Sequence, residues 1–117
     1  FAYEPFAQIE IARAEEQRLL ALETRIDADL ALGRHEELVP ELEAIVAREP
    51  VRERFRAQLL LALFRSGRQT DALAAYRDAR RTLVDELGIE PGPELRALEK
   101  AILDQDASLL LARPAQG

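Results

Sequence analysis

Arginines and carboxylates are almost the whole chemical equipment of this chain. Arg77, Arg80 and Arg81 fall on one side of a helical stretch, and Arg77 and Arg81 form a like-charged i,i+4 pair. Such a pair costs a helix about 0.3 kcal/mol. A basic face kept at that cost fits an external acidic partner. The competing reading is a solvated face balanced by Asp78 and Asp85. Arg52, Arg54 and Arg56 open the preceding apolar stretch. Cations oppose the dipole at a helix N-terminus, so they need acids from elsewhere, and Glu15, Glu16 and Glu23 are the expected source.

Other chemistry finds little footing. His35 is the single histidine, and the adjacent Glu36 and Glu37 do not make a spaced ligand cluster. The chain has no cysteine, which removes thiolate metal sites, disulfides and cysteine nucleophiles. No Gly-x-x-x-x-Gly-Lys-Ser/Thr phosphate loop occurs. Carboxylate pairs abound, as in any acidic helical protein, and nothing places two in a dry pocket. No catalytic, cofactor-binding or metal-binding residue is assigned, and the expectation is a binding protein without enzyme activity. The net charge of −6 is uneven: residues 1–50 carry twelve acids against five arginines, residues 51–84 eight arginines against three acids. An acidic domain does not wrap DNA by itself. No apolar run approaches a membrane span, and the cytoplasm is the expected location. The chain begins at Phe1 rather than methionine, so it reads as a piece of a longer protein.

The elements that must position these groups are helices. Phe6, Ile9, Ala12, Leu19, Leu22, Ile26 and Leu30 recur at helical spacing and predict a long helix from about residue 7 to 32, ended by Gly33. A second helix carries Leu38, Leu42, Ile45 and Val46 up to Pro50. Pro40 removes a backbone hydrogen bond and crowds the preceding turn, so that helix starts late, near Val39, or kinks. A third runs over residues 51–65. Phe55, Leu59, Ala62 and Leu63 form its stripe, and Leu60, Leu61 and Phe64 widen it, which predicts the most buried helix. A fourth shows Ala72, Leu73, Tyr76, Ala79, Leu83 and Leu87 before Gly88. Glu90-Pro91-Gly92-Pro93 reads as a rigid link, with Pro93 suited to the first position of a fifth helix using Leu95, Leu98 and Ile102. Residues 1–110 form the domain and 111–117 a loose tail, while Phe1, Tyr3 and Phe6 are expected to pack back onto the array.

Gly33 and Gly67 lie 34 residues apart, each followed by arginine. Five, nine and twelve positions on, Leu38 matches Ala72, Leu42 matches Tyr76, and Ile45 matches Ala79. This period and the small-then-aromatic spacing mark a tetratricopeptide repeat. The expected fold is all-α: a tetratricopeptide-like right-handed array of about five helices, two antiparallel hairpins plus a C-terminal capping helix. Its concave face should be lined by Glu23, Asp27, Leu30, Arg54, Ala57, Leu61, Phe64 and Arg65. Leu61 and Phe64 suit a bound helix or peptide, unless the C-terminal helix or another domain covers them. The candidate partner contacts are therefore Arg54, Leu61, Phe64, Arg65, Arg77, Arg80 and Arg81.

Three stretches carry a resemblance. They are Leu30-Ala31-Leu32-Gly33-Arg34-His35-Glu36-Glu37-Leu38, the run from Arg52 through Gly67 to Tyr76, and Glu86-Leu87-Gly88-Ile89-Glu90-Pro91-Gly92-Pro93-Glu94-Leu95. Together they resemble the bacterial transcriptional activator domain of the Streptomyces antibiotic regulatory protein family, over residues 4–109. The resemblance implies an OmpR-like winged-helix DNA-binding domain upstream and no sequence-specific DNA binding within this chain. It also implies an effector role in transcription activation through contacts with the attached or neighbouring DNA-binding domain, RNA polymerase or a second copy of the chain. The alternative is a free-standing tetratricopeptide-like adaptor that binds peptides and has no part in transcription.

Overall fold

A computed structural model describes residues 4–111. Five helices follow one another: α1 Pro5–Ala31, α2 His35–Arg48, α3 Glu53–Arg65, α4 Gln69–Leu87 and α5 Pro93–Leu103, with a 3-10 turn at Ala107–Leu109. No strand occurs among the described residues. α1 and α2 form one hairpin, α3 and α4 a second, and α5 closes on α3 and α4.

The two hairpin turns are built alike. Gly33 and Gly67 adopt positive φ, 81° and 77°, which glycine tolerates without strain. In each turn the following arginine donates its N–H to a carbonyl five residues back, Arg34 to Asp29 and Arg68 to Leu63. That bond closes a Schellman cap on the otherwise orphaned carbonyls. The repeat read from spacing is thus a repeat of hydrogen bonds. The helix after each turn also repeats its inward face: Leu38, Leu42 and Ile45 in α2 and Ala72, Tyr76 and Ala79 in α4 are all buried.

α3 is the core helix, with every residue from Phe55 to Leu60 buried. It packs against α1, α2, α4 and α5, which is why its apolar residues extend beyond a single face. The link before α5 docks on its start: Pro91 is buried and the Gly92 N–H donates to Glu53 Oε1 at 2.7 Å. A Cβ at Gly92 would lie 3.3 Å from that same oxygen, and Pro93 then occupies the first turn of α5.

Two expectations are corrected. Of the two readings of α2, the late start is ruled out, for the helix begins at His35 and holds Pro40 inside. Burial of Leu38 and Val39 draws the first turn into the helix, and Glu36 and Glu37 complement its dipole. Pro40 itself is exposed. Phe6 does not pack back onto the array: it is 71% exposed, and Ile9 and Ile11 are more than half exposed. α1 has 27 residues and α2 only 14, so α2 covers just the C-terminal half, and the first buried residue of α1 is Leu19. The molecule is correspondingly elongated, 63 × 35 × 23 Å. Phe1, Tyr3 and the tail beyond residue 111 lie outside the described residues.

Tyr76→Ala leaves a cavity between α4 and the core and is expected to destabilise the fold by about 3 kcal/mol, seen as a lowered urea midpoint at unchanged slope.

Candidate interaction surfaces

The start of α3 carries the charges that organise the array. Arg52 reaches α1, with Nη2 2.6 Å from Glu16 Oε2 and a further hydrogen bond to Glu23. Arg54 joins Asp27 of α1, at 2.6 Å, to Glu94 of α5. Arg56 is only 3% exposed. Its Nε donates to the Pro50 carbonyl at 3.0 Å and its Nη1 to Asp78 of α4 at 2.8 Å. Glu16 and Glu23 answer Arg52 as expected, whereas Glu15 pairs with Arg18 instead. Arg54 and Arg56 draw on Asp27, Glu94 and Asp78, partners that only tertiary packing supplies.

The pKa shifts follow. The Arg52 hydrogen bond holds Glu16 below the ordinary carboxylate range, and the Arg56 hydrogen bond does the same for Asp78. Burial pushes Asp27 up, but the hydrogen bonds from Arg54 and Gln58 outweigh it and leave the carboxyl lowered.

Two surfaces take up the candidate contact residues. The first is a groove of about 430 Å³ between α1, α3, α5 and the 3-10 turn. Arg54, Leu61 and Arg65 line it, with Asp27, Leu30 and Ala57 as expected from repeat position. Phe64 is not among its lining residues; it lies half-buried against the core. Leu98 of α5 and Leu109 of the 3-10 turn also line it, so the C-terminal elements cover part of the concave face. Arg65 Nε donates to the Leu109 carbonyl at 2.7 Å and its Nη1 to the Leu30 carbonyl at 3.2 Å, and burial lowers its pKa.

The second surface is the exposed side of α4. Arg80 pairs with Glu90 at 2.6 Å and Arg81 with Asp78 at 3.3 Å. Arg77 is exposed and makes no ion pair among the described residues. The structure does not bring this basic side together with Arg54 and Arg65 in one site.

Sequence reasoning passed over Gln58. It is 1% exposed, lines the groove, and donates from Nε2 to the Glu23 carbonyl and to Asp27, both at 2.9 Å. Its position among Ala57, Leu59 and Leu60 was the available signal, since a glutamine inside an apolar helix must find partners. His35 sits at the start of α2 with Nδ1 buried and unpartnered. Among the described residues no group of three or more metal-ligating side chains occurs, and no helix is long and apolar enough to cross a membrane.

Comparison with known proteins agrees along nearly the whole chain. Residues 1–103 match the family described as the bacterial transcriptional activator domain. The chain is 52% identical over 111 residues to the regulatory protein AfsR of Streptomyces griseus, covering 95% of this chain and 11% of that protein. It is 50% identical to the regulatory protein DnrI of Streptomyces peucetius, covering 86% of this chain and 37% of DnrI. A solved structure, Mycobacterium tuberculosis EmbR in complex with a low affinity phosphopeptide, superposes with a TM-score of 0.83 at 40% identity over 95% of this chain and 27% of EmbR. The chain thus spans between about a tenth and two fifths of these relatives.

The lowered carboxylates set an acid limit. Their contribution to stability is complete above about pH 4, the unfolded carboxylate range, and is lost as the pH falls through their lower folded values. Urea midpoints measured against pH should decline on the acid side, and the Asp78→Asn variant should show a shallower decline.

Proposed function

This chain belongs to the bacterial transcriptional activator domain family, and from that premise we propose that it is the effector part of a transcription regulator, acting through protein contacts rather than catalysis. The observation that carries the reading is the match of one helical array, over nearly all of this chain, to a segment of larger proteins named as regulators. An array inside a larger regulator fits a module that couples other parts. In the parent protein a winged-helix domain upstream contacts DNA. This array contacts that domain, RNA polymerase or a second copy of itself, and acts in the cytoplasm.

Electrostatics supports the division of labour. The arginines that open α3 are consumed inside the fold by Glu16, Glu23, Asp27, Glu94 and Asp78, which leaves few cations for phosphates. The relatives named as transcription regulators speak against the free-standing peptide adaptor.

On the exposed side of α4, Arg77 and Arg81 are the residues most available to an acidic partner. The Arg77→Ala/Arg81→Ala double variant is expected to melt within a degree or two of the parent, since exposed charges contribute about 0.5 kcal/mol or less. In a reporter assay with the parent regulator, activation should fall while promoter binding is kept. A large loss of melting temperature would assign the two arginines to the fold and end their role as contacts. Full activation by a folded double variant would move the contact away from α4.

A further inference from the structure

The groove between α1, α3 and α5 holds two unmet polar demands on one helix face. Arg54, Gln58, Leu61 and Arg65 follow i, i+4, i+7, i+11 spacing along α3, and all four line the groove. Arg52, Arg54 and Arg56 each meet a carboxylate. Arg65 is partly buried too, yet its hydrogen bonds among the described residues go only to the carbonyls of Leu30 and Leu109. Main-chain carbonyls orient a guanidinium without neutralising it. Desolvation is the one cause acting on its pKa, and it acts downward, as for a cation that lacks its counter-ion. The second demand is Gln58, whose Oε1 is buried and accepts no hydrogen bond.

Between them the groove is apolar, walled by Leu30, Ala57, Leu61, Leu98 and Ala101. It already grips a piece of peptide, since Leu109 packs against the core while its carbonyl accepts from Arg65. We propose that this groove binds a short extended peptide segment of a partner protein, with an apolar side chain between Leu61 and Leu98 and a carboxylate on Arg65. Four helical residues separate Leu61 from Arg65, about 6 Å along the axis. Extended chain covers that in about two residues, so the recognised pattern is an apolar residue followed two positions on by an acidic one. Charge also sets the direction: the opposite end of the groove carries Asp27 and Glu94 around Arg54 and disfavours the acid there.

This proposal rests on the reading of the chain as a protein-interaction module, and its test separates the two. The probe is a fluorescein-labelled Ala-Leu-Ala-Asp peptide, amidated at its C-terminus, titrated by fluorescence polarisation into the full 117-residue chain. Saturable binding is expected, weakened about tenfold or more when the terminal Asp is replaced by Asn. The same loss is expected with the Arg65→Gln variant, which keeps a donor for the carbonyls. Should that variant melt early in circular dichroism, Ala101→Phe, which fills the groove from α5, should abolish binding instead. Three results overturn the proposal: no saturation, equal binding of the Asn peptide, or binding unchanged by a folded groove variant. Dodecanoate binding where the peptide does not would also overturn it, in favour of a small apolar acid. Peptide binding by a chain that has no effect on transcription would overturn only the regulator reading. Chain-dependent transcription without peptide binding would overturn only the groove.

Discussion

α3 is surrounded by four other helices, and that burial governs the rest of the structure. A helix packed on most of its sides gains by placing its polar side chains against partners, because an unpaired buried charge or amide is costly. The sequence loads the first turns of α3 with Arg52, Glu53, Arg54 and Arg56, and the fold answers each from a different direction. Arg52 calls on α1, Glu53 on the Gly92 N–H, Arg54 on α1 and α5 together, and Arg56 on Pro50 and α4. One charged turn therefore sets the approach of the elements around it. Apolar packing alone is non-directional and would leave the helices freer to slide.

The turns and the link add the remaining order. Gly33 and Gly67 repeat the same backbone cap, which gives the hairpins their common geometry. At the end of α5 a third such cap forms, with Asp106 donating to the Ala101 carbonyl, but there Gln105 adopts the positive φ. The chain then turns back through Ala107–Leu109 onto the groove. The capping helix and the segment after it thus finish the array and narrow the concave face into a defined site.

The two candidate faces differ in kind. The α4 side offers exposed guanidinium groups over a buried stripe, suited to an acidic surface met in water. The groove offers apolar walls with a partly buried cation, Arg65, at one end. The N-terminal half of α1 stands clear of both, with apolar side chains that nothing among the described residues covers.

Five helices, the Schellman glycines, Pro93 at the start of α5 and the dominance of α3 were legible in the sequence. All are consequences of local rules: spacing of apolar residues, positive φ at glycine, the missing N–H of proline. Of the two readings of Pro40, a late helix start or a kink, the late start fails because the local cost of proline was visible while the burial of Leu38 and Val39 that outweighs it was not. The exposure of Phe6 and Ile9 was hidden for the same reason. Helical spacing shows that a stripe exists and cannot show how far the facing helix extends. The need of Arg52, Arg54 and Arg56 for acids followed from charge and the helix dipole. Which acids answered, and that Arg65 was left with none, depended on groups 22 to 44 residues away. Sequence determined the elements and their charges, because those are properties of neighbours along the chain. The tertiary structure decided which charges are consumed and which stay open to a partner, because pairing depends on distance in space.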